Sequence, residues 1–202
     1  MAVHYKTRGF IFKKEDRAEA DRFFSIFTRE FGRLEVFGKA IRKINSKLRG
    51  GIDLFHISDI EFIQGKNKKT LTDAVITQKF NSITDSPEKS VMAGQISNLL
   101  DDFIKGEERD EKILQLIIET FEKLDRLEPR QLMYYYFFWN FVALLGYAPE
   151  FSNMPSKTAH IITMIIKKEW EDLITLSFKK EAQKSLVTVS ENYRRYLLEH
   201  IT

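Results

Sequence analysis

The stretch Val3-His4-Tyr5-Lys6-Thr7-Arg8-Gly9-Phe10-Ile11-Phe12-Lys13-Lys14 decides how the chain begins. Val3, Tyr5, Thr7 and Ile11 alternate with His4, Lys6, Arg8, Phe10 and Phe12, which is the two-residue period of a pleated strand. Gly9 inside the run predicts a bulge or bend. Working outward, residues 23–29 and 33–41 are β-rich runs separated by Glu30, Phe31 and Gly32, a short glycine-containing loop that reads as a hairpin. Residues 52–63 and 70–77 complete the set, and a slip of apolar phase between Ile57 and Ile60 predicts a bulge near Ser58 and Asp59. Five strands within the first 80 residues are the count of a small closed barrel of the OB type.

Beyond Pro87 the period becomes helical. Met92, Ile96, Leu99, Leu100 and Phe103 recur at helical spacing, and Ser86 with Pro87 supplies an N-cap and a first turn. Ile113, Ile117, Phe121 and Leu124 line one face of a second helix, after the charged loop that follows Gly106. Pro129 and Gly146 bracket a third helix that is apolar on every side and therefore belongs at the centre of a bundle. Residues 156–170 and 182–201 supply at least two more, the last with Ala182, Leu186, Val189, Tyr193 and Leu197 as its stripe. The expected architecture is α+β: an N-terminal OB-type barrel over residues 1–80, then a helical domain over residues 86–202.

Composition narrows the chemistry. With 202 residues, 43% hydrophobic and 30% charged, the chain can bury a core without a metal or disulfide staple. It holds no cysteine, which excludes a thiol nucleophile, an iron–sulfur cluster and every cysteine-containing zinc site. A polar, basic N-terminus gives no signal-peptide core, so a reducing cytoplasm is expected. Residues 132–145 carry Asn140 as their one conventionally polar residue, yet they are too short to span a bilayer, and three tyrosines there need hydrogen-bond partners. No membrane contact is expected.

Catalytic motifs fail on spacing. Gly65-Lys66 lacks both the earlier glycine and the following Ser or Thr of a phosphate-binding loop, and Gly50-Gly51 lacks a dinucleotide-binding context. The histidines at 4, 56, 160 and 200 form no metal-ligand pair. Adjacent Asp101 and Asp102 point about 100° apart on a helix, a poor arrangement for acid–base work. Neither an enzyme nor a cofactor is expected.

What stands out is charge. Residues 1–80 hold 17 Lys and Arg against 10 Asp and Glu, while residues 81–202 hold 15 against 19. The first part therefore carries a field suited to a polyanion; the plain alternative is a basic surface kept for solubility. Arg33, Lys39, Arg42, Lys43, Lys47 and Arg49 fall within 17 residues, opposed only by Glu35. If strand alternation turns Leu34, Val36, Gly38 and Ala40 inward, then Arg33, Phe37 and Lys39 share the outer face, with an aromatic ring between two cations. That is the composition of a single-strand groove, with phosphates on the cations and unstacked bases on the ring. The alternative for Phe37 is burial beneath the helices, and for residues 42–49 a solubilising loop.

Lys6-Thr7-Arg8-Gly9, Glu19-Ala20-Asp21-Arg22, Phe27-Thr28-Arg29-Glu30-Phe31-Gly32 and Gly38-Lys39-Ala40 occur in the order seen in the RecO family of DNA repair proteins. Ser46-Lys47-Leu48-Arg49-Gly50 resembles that family's basic loop, and Leu144-Leu145-Gly146-Tyr147-Ala148-Pro149 its LLGYxP segment. The resemblance implies a recombination mediator that binds single- and double-stranded DNA and anneals complementary strands. It further implies work with RecR to load RecA on strands coated by single-strand-binding protein. Lys6, Arg8, Arg22 and Arg29 of the matching motifs then join Arg33, Phe37, Lys39, Arg42, Lys43, Lys47 and Arg49 as candidate DNA contacts. Lys167, Lys168, Lys179 and Lys180 near Trp170 and Phe178 are the candidate dock for the acidic-hydrophobic tail of single-strand-binding protein.

The chain departs from the family pattern twice. Many members carry a zinc-binding cysteine cluster after the GYxP segment, where this chain runs Phe151-Ser152-Asn153-Met154-Pro155 into its next helix. Ala18 stands where the family has glycine. Two other classes stay open at this point: an OB barrel for structured RNA, and a protein-interaction module with an acidic partner.

Overall fold

The computed structural model describes residues 3–168, 170–175 and 179–201. Five strands, β1 (His4–Arg17), β2 (Asp21–Thr28), β3 (Gly32–Gly38), β4 (Ile57–Gln64) and β5 (Lys69–Gln78), close into a barrel in the order β1-β2-β3-β5-β4. All neighbours are antiparallel except β3 and β5, which meet through Val36 opposite Lys69 and Phe37 opposite Thr70. Closure leaves no edge for another strand to join. This is the α+β plan expected from the change of period.

Alternation sorts the barrel as predicted. Ile11, Phe24, Ile26, Leu34, Val36, Ile60, Phe62 and Leu71 fill the interior, with Tyr5 packed against them. The bulge in β1 falls at Phe12, between Ile11 and Lys13, rather than at Gly9. Gly9 is required for a different reason: a Cβ there would lie 2.6–2.7 Å from Ile26, the Phe27 carbonyl oxygen and Thr28. The predicted break in β4 is present, as a register shift between Ile57 and Ser58, and a second lies between Glu61 and Phe62. β3 stops at Gly38, short of the run read to residue 41, because Ile41 turns back into the barrel core.

Helices follow as α1 (Asn81–Asp85), α2 (Pro87–Phe103), α3 (Glu111–Arg126), α4 (Gln131–Leu144), α5 (Ser156–Lys167), α6 (Trp170–Leu173) and α7 (Lys180–Ile201). Ser86 caps α2 by accepting the Lys89 N–H, and Asp110 caps α3 by accepting from Lys112 and Ile113. By packing, the chain divides at residues 129 and 130, so α1 to α3 belong to the same compact unit as the barrel. The reason is apolar: alternation about the inward Ile11 puts both Phe10 and Phe12 on the outer wall, and Phe121 of α3 meets Phe10 at 4.4 Å and Phe55 at 5.7 Å. The second unit is built on α4, whose Phe137, Trp139, Phe141 and Val142 are fully buried. Its polar atoms find partners: Trp139 Nε1 donates to Ser190 Oγ at 2.9 Å, and Asn140 donates to the carbonyls of Tyr136 and Ile165. No helix among the described residues is long and apolar enough to cross a membrane.

His56, 8% exposed, sits where the barrel passes to the helices, with its Nδ1 accepting the Phe80 N–H at 3.3 Å. Burial pushes its pKa down, against the Phe55 carbonyl and the fields of Asp53 and Asp125. The unfolded chain therefore takes up the proton more readily than the folded one. Stability is complete above about pH 6.5 and falls as the pH drops through the lowered folded value. Urea midpoints at neutral and mildly acidic pH should show this loss in the natural sequence. They should show much less of it in His56→Asn, whose amide oxygen can still accept from Phe80.

Candidate nucleic-acid interface

The eleven predicted contacts separate into two groups. On the β1–β4 wall the cations are matched by carboxylates. Lys6 pairs with Glu61, and Arg8 grips Asp59 through two hydrogen bonds of 2.6 and 2.9 Å. That grip holds the Asp59 carboxyl below its usual range. Arg29, in the β2–β3 turn, pairs with Glu111 at 2.8 Å. Arg33 is the most committed of all. Its guanidinium donates to Asp101 at 2.8 Å, to the Ile104 carbonyl at 2.7 Å and to Glu35, it lies 5.3 Å from the Phe12 ring, and its side chain is only 14% exposed. It staples β3 to the C-terminal end of α2 rather than standing free on the outer face.

The second group belongs to the end of the barrel where β1 runs into β2 and to the segment that leaves β3 there. Residues 39–46 form a loop fixed by backbone contacts. Ala40, at φ 52°, donates its N–H to Asp21 at 2.7 Å, and Arg42 N–H donates to the Ala20 carbonyl at 2.9 Å. A short 3-10 turn, Lys47–Gly50, follows. Lys39, Lys43, Lys47 and Arg49 are exposed and hold no ion pair among the described residues. Arg42 shares Asp16 with Arg22, at 3.4 and 2.6 Å respectively.

The aromatic part differs from the expectation. Phe37 faces outward as read, but it is 7% exposed, with Phe23 of β2 at 5.1 Å on one side and Lys68 Nζ 3.3 Å above its ring. Arg17 lies 6.0 Å from the Phe23 ring. The cation beside Phe37 is thus Lys68, from the turn between β4 and β5, rather than Arg33, and Phe23 is the more open of the two rings. Sequence reading missed Arg17, Phe23, Lys66 and Lys68. The basic turn Lys66-Asn67-Lys68-Lys69 was visible, and hairpin register alone pairs Phe23 with Phe37. The faces of strands 2 and 3, with the turns joining strands 1 to 2 and 4 to 5, are where OB barrels hold extended polymers.

In the second unit Trp170 is 1% exposed, so it offers no docking ring, and Phe178 lies outside the described residues. A cavity of about 250 Å³ opens instead between Tyr135, Ile161, Ile174, Leu186 and Val187, with Arg130 in its wall. Between α4 and α5 lies a short 3-10 turn, Phe151–Asn153, and among the described residues no group of three His, Cys, Asp or Glu could hold a metal.

Asp16 offers a direct test of how charge is set at this end of the barrel. Hydrogen bonding from Arg22 keeps its carboxyl below the usual range, so it is ionised at neutral pH and offsets part of the cationic field. Asp16→Asn should release Arg22 and Arg42. The expected result is tighter binding of single-stranded DNA and a log–log salt slope steeper by about 0.7 to 1.4, one to two further phosphates. A slope equal to that of the natural sequence would show that neither arginine reaches the backbone.

A closed OB-type barrel continued by helices defines the class to which this protein belongs. Within that class, residues 1–80 match the family described as "Recombination protein O N terminal" and residues 85–155 the one described as "Recombination protein O C terminal". The chain belongs to the RecO family. It is 35% identical over 146 residues to the DNA repair protein RecO of Dehalococcoides mccartyi, covering 72% of this chain and 58% of that relative. To the DNA repair protein RecO of Acetivibrio thermocellus it is 25% identical over 151 residues, covering 74% and 60%. The chain thus spans less than two thirds of the length of these curated relatives. The family division falls between residues 80 and 85, whereas packing divides the chain at 129 and 130.

Proposed function

We propose that this chain is a recombination mediator that binds single- and double-stranded DNA at the basic end of its barrel and anneals complementary strands. In this reading it acts with RecR to load RecA, indirectly, onto strands coated by single-strand-binding protein, and it does so in the bacterial cytoplasm. The supporting observation is that Lys39, Lys43, Lys47 and Arg49, which follow β3, are exposed without an ion pair among the described residues and that Lys68 lies over the ring of Phe37 beside Phe23, while cations on the β1–β4 wall are neutralised by their neighbours. Annealing needs no bond chemistry. Two strands repel through their phosphates; a surface that neutralises both raises the rate at which complementary bases meet. The cavity beside Arg130 suits the acidic and apolar tail of single-strand-binding protein, with a cation for its carboxylates and an apolar lining for its side chains.

Fluorescence anisotropy of labelled single-stranded and duplex DNA over a salt series, with a strand-annealing assay, tests the reading. Five or six phosphate contacts predict a log–log slope of about −4 on single strands. Absence of binding at low salt, or affinity indifferent to salt, would overturn it. An equal-length RNA competing better than DNA would move the function to RNA.

A further inference from the structure

Ile44 stands alone among the large apolar side chains described. It is 93% exposed, whereas Val91, the next most exposed, is at 63%. Isolated apolar residues on a surface are ordinary; the setting of this one is not. Lys43 N–H donates to the Ala40 carbonyl at 3.2 Å and Ser46 N–H to the Lys43 carbonyl at 3.0 Å, two consecutive turns that place Ile44 at the first corner of the second. Such corners favour proline or short polar residues, and a β-branched apolar side chain gains nothing there from the turn itself. The loop is also anchored, through the Arg42 N–H on the Ala20 carbonyl and the Ala40 N–H on Asp21. Ile44 is therefore presented outward from a fixed backbone, with Arg42, Lys43, Lys47 and Arg49 flanking it along the chain.

We propose that Ile44 is a wedge that enters between neighbouring bases and unstacks them when the surrounding cations are seated on the phosphates. The inference rests on the DNA-binding reading and adds a distinct act to it: the barrel end does not only hold the backbone but opens the base stack. Charge selects the occupant. Every side chain within three residues of Ile44 that carries charge is cationic, so an acidic polymer is what brings the tip into contact, and the apolar surface lying just inside a phosphate backbone is the base stack. Apolar side chains inserted between base steps in this manner kink and open duplexes. A lipid surface would need a second anchoring element, since one buried isoleucine does not hold a protein on a membrane. For an annealing protein the consequence is direct: a base pulled from its stack is a base available for re-pairing.

The test uses the whole chain and a short duplex carrying 2-aminopurine, whose fluorescence rises when its stacking is lost. The natural sequence should raise that fluorescence on binding. Ile44→Ser should abolish the rise while leaving affinity by anisotropy within about threefold and the salt slope unchanged, since no phosphate contact is removed. Ile44→Leu should restore it. Saturable DNA binding with no rise, or an undiminished rise in Ile44→Ser, overturns the wedge and leaves the cationic interface standing. Absence of any DNA binding by the natural sequence overturns the interface first and the wedge with it. Loss of binding to anionic vesicles in Ile44→Ser, with the 2-aminopurine signal intact, assigns the tip to membranes and also overturns the proposal.

Discussion

Reversing Arg42, Lys43 and Lys47 to glutamate should weaken single-stranded DNA binding by about a hundredfold at 0.1 M salt and flatten the log–log salt slope by about 2. The size follows from counterion release, about 0.7 ion per phosphate on single strands, taken over three contacts and one decade of salt below 1 M. Duplex binding should lose more, with a slope change of about 2.7, because each duplex phosphate releases about 0.9 ion. The fold should survive, since all three side chains are exposed and only Arg42 has an ion pair, with Asp16. Circular dichroism and thermal midpoint verify that, and anisotropy reads the affinity. Reversal of Lys6, by contrast, should leave the slope nearly unchanged, because Lys6 already faces Glu61. Equal losses from the two positions would mean that the whole barrel surface attracts DNA and that the loop has no special part.

Arg33→Ala should do the opposite: lower stability sharply and leave the DNA affinity of the folded protein nearly untouched. The guanidinium of Arg33 satisfies Asp101 and the Ile104 carbonyl at the end of α2, where the helix leaves its last carbonyls without intrahelical partners. Burial of Asp101 works against its charge, and the hydrogen bonds of Lys13 and Arg33 together still hold its carboxyl below the usual range. Among the described residues, removing Arg33 leaves the Asp101 carboxylate with Lys13 alone, at 2.9 Å, and the Ile104 carbonyl with no side-chain donor. Lys13 keeps the cost below that of a wholly orphaned buried carboxylate, at about 2–3 kcal/mol, or roughly 10 °C in Tm for a unit of this size. Arg33→Lys should recover only part of it, because a lysine cannot divide its donors between a carboxylate and a carbonyl in one plane. An unchanged Tm with a fall in DNA affinity would return Arg33 to the interface.

Particular residues show why one reading succeeded and another did not. The alternation that put Leu34 and Val36 inside and Phe37 outside is local: it depends on the pleat, and the pleat has a period of two wherever a strand forms. Whether an outward side chain is free is a different question, answered by whatever packs over it. Arg33 and Lys39 read as equals in the sequence, yet Asp101, 68 residues further on, takes the first and nothing described takes the second. The motif around Lys6 and Arg8 likewise marks both as contacts, and the register of β1 against β4 brings Glu61 and Asp59 opposite them. The place of Lys68 beside Phe37 is not legible in the sequence, because it depends on the single parallel pairing in the barrel, β3 with β5, which no local signal announces.

By itself, then, the sequence determined the α+β succession, the number and faces of the strands, the buried central helix, the absence of cysteine chemistry and the family, because periodicity, caps and motif order are written within a few residues of one another. The tertiary structure alone decided which cations remain unpaired, which aromatic rings stay open and how far the barrel's compact unit extends. Those outcomes depend on charges and apolar surfaces far apart in the chain that meet only after the barrel closes and α1 to α3 settle on its wall.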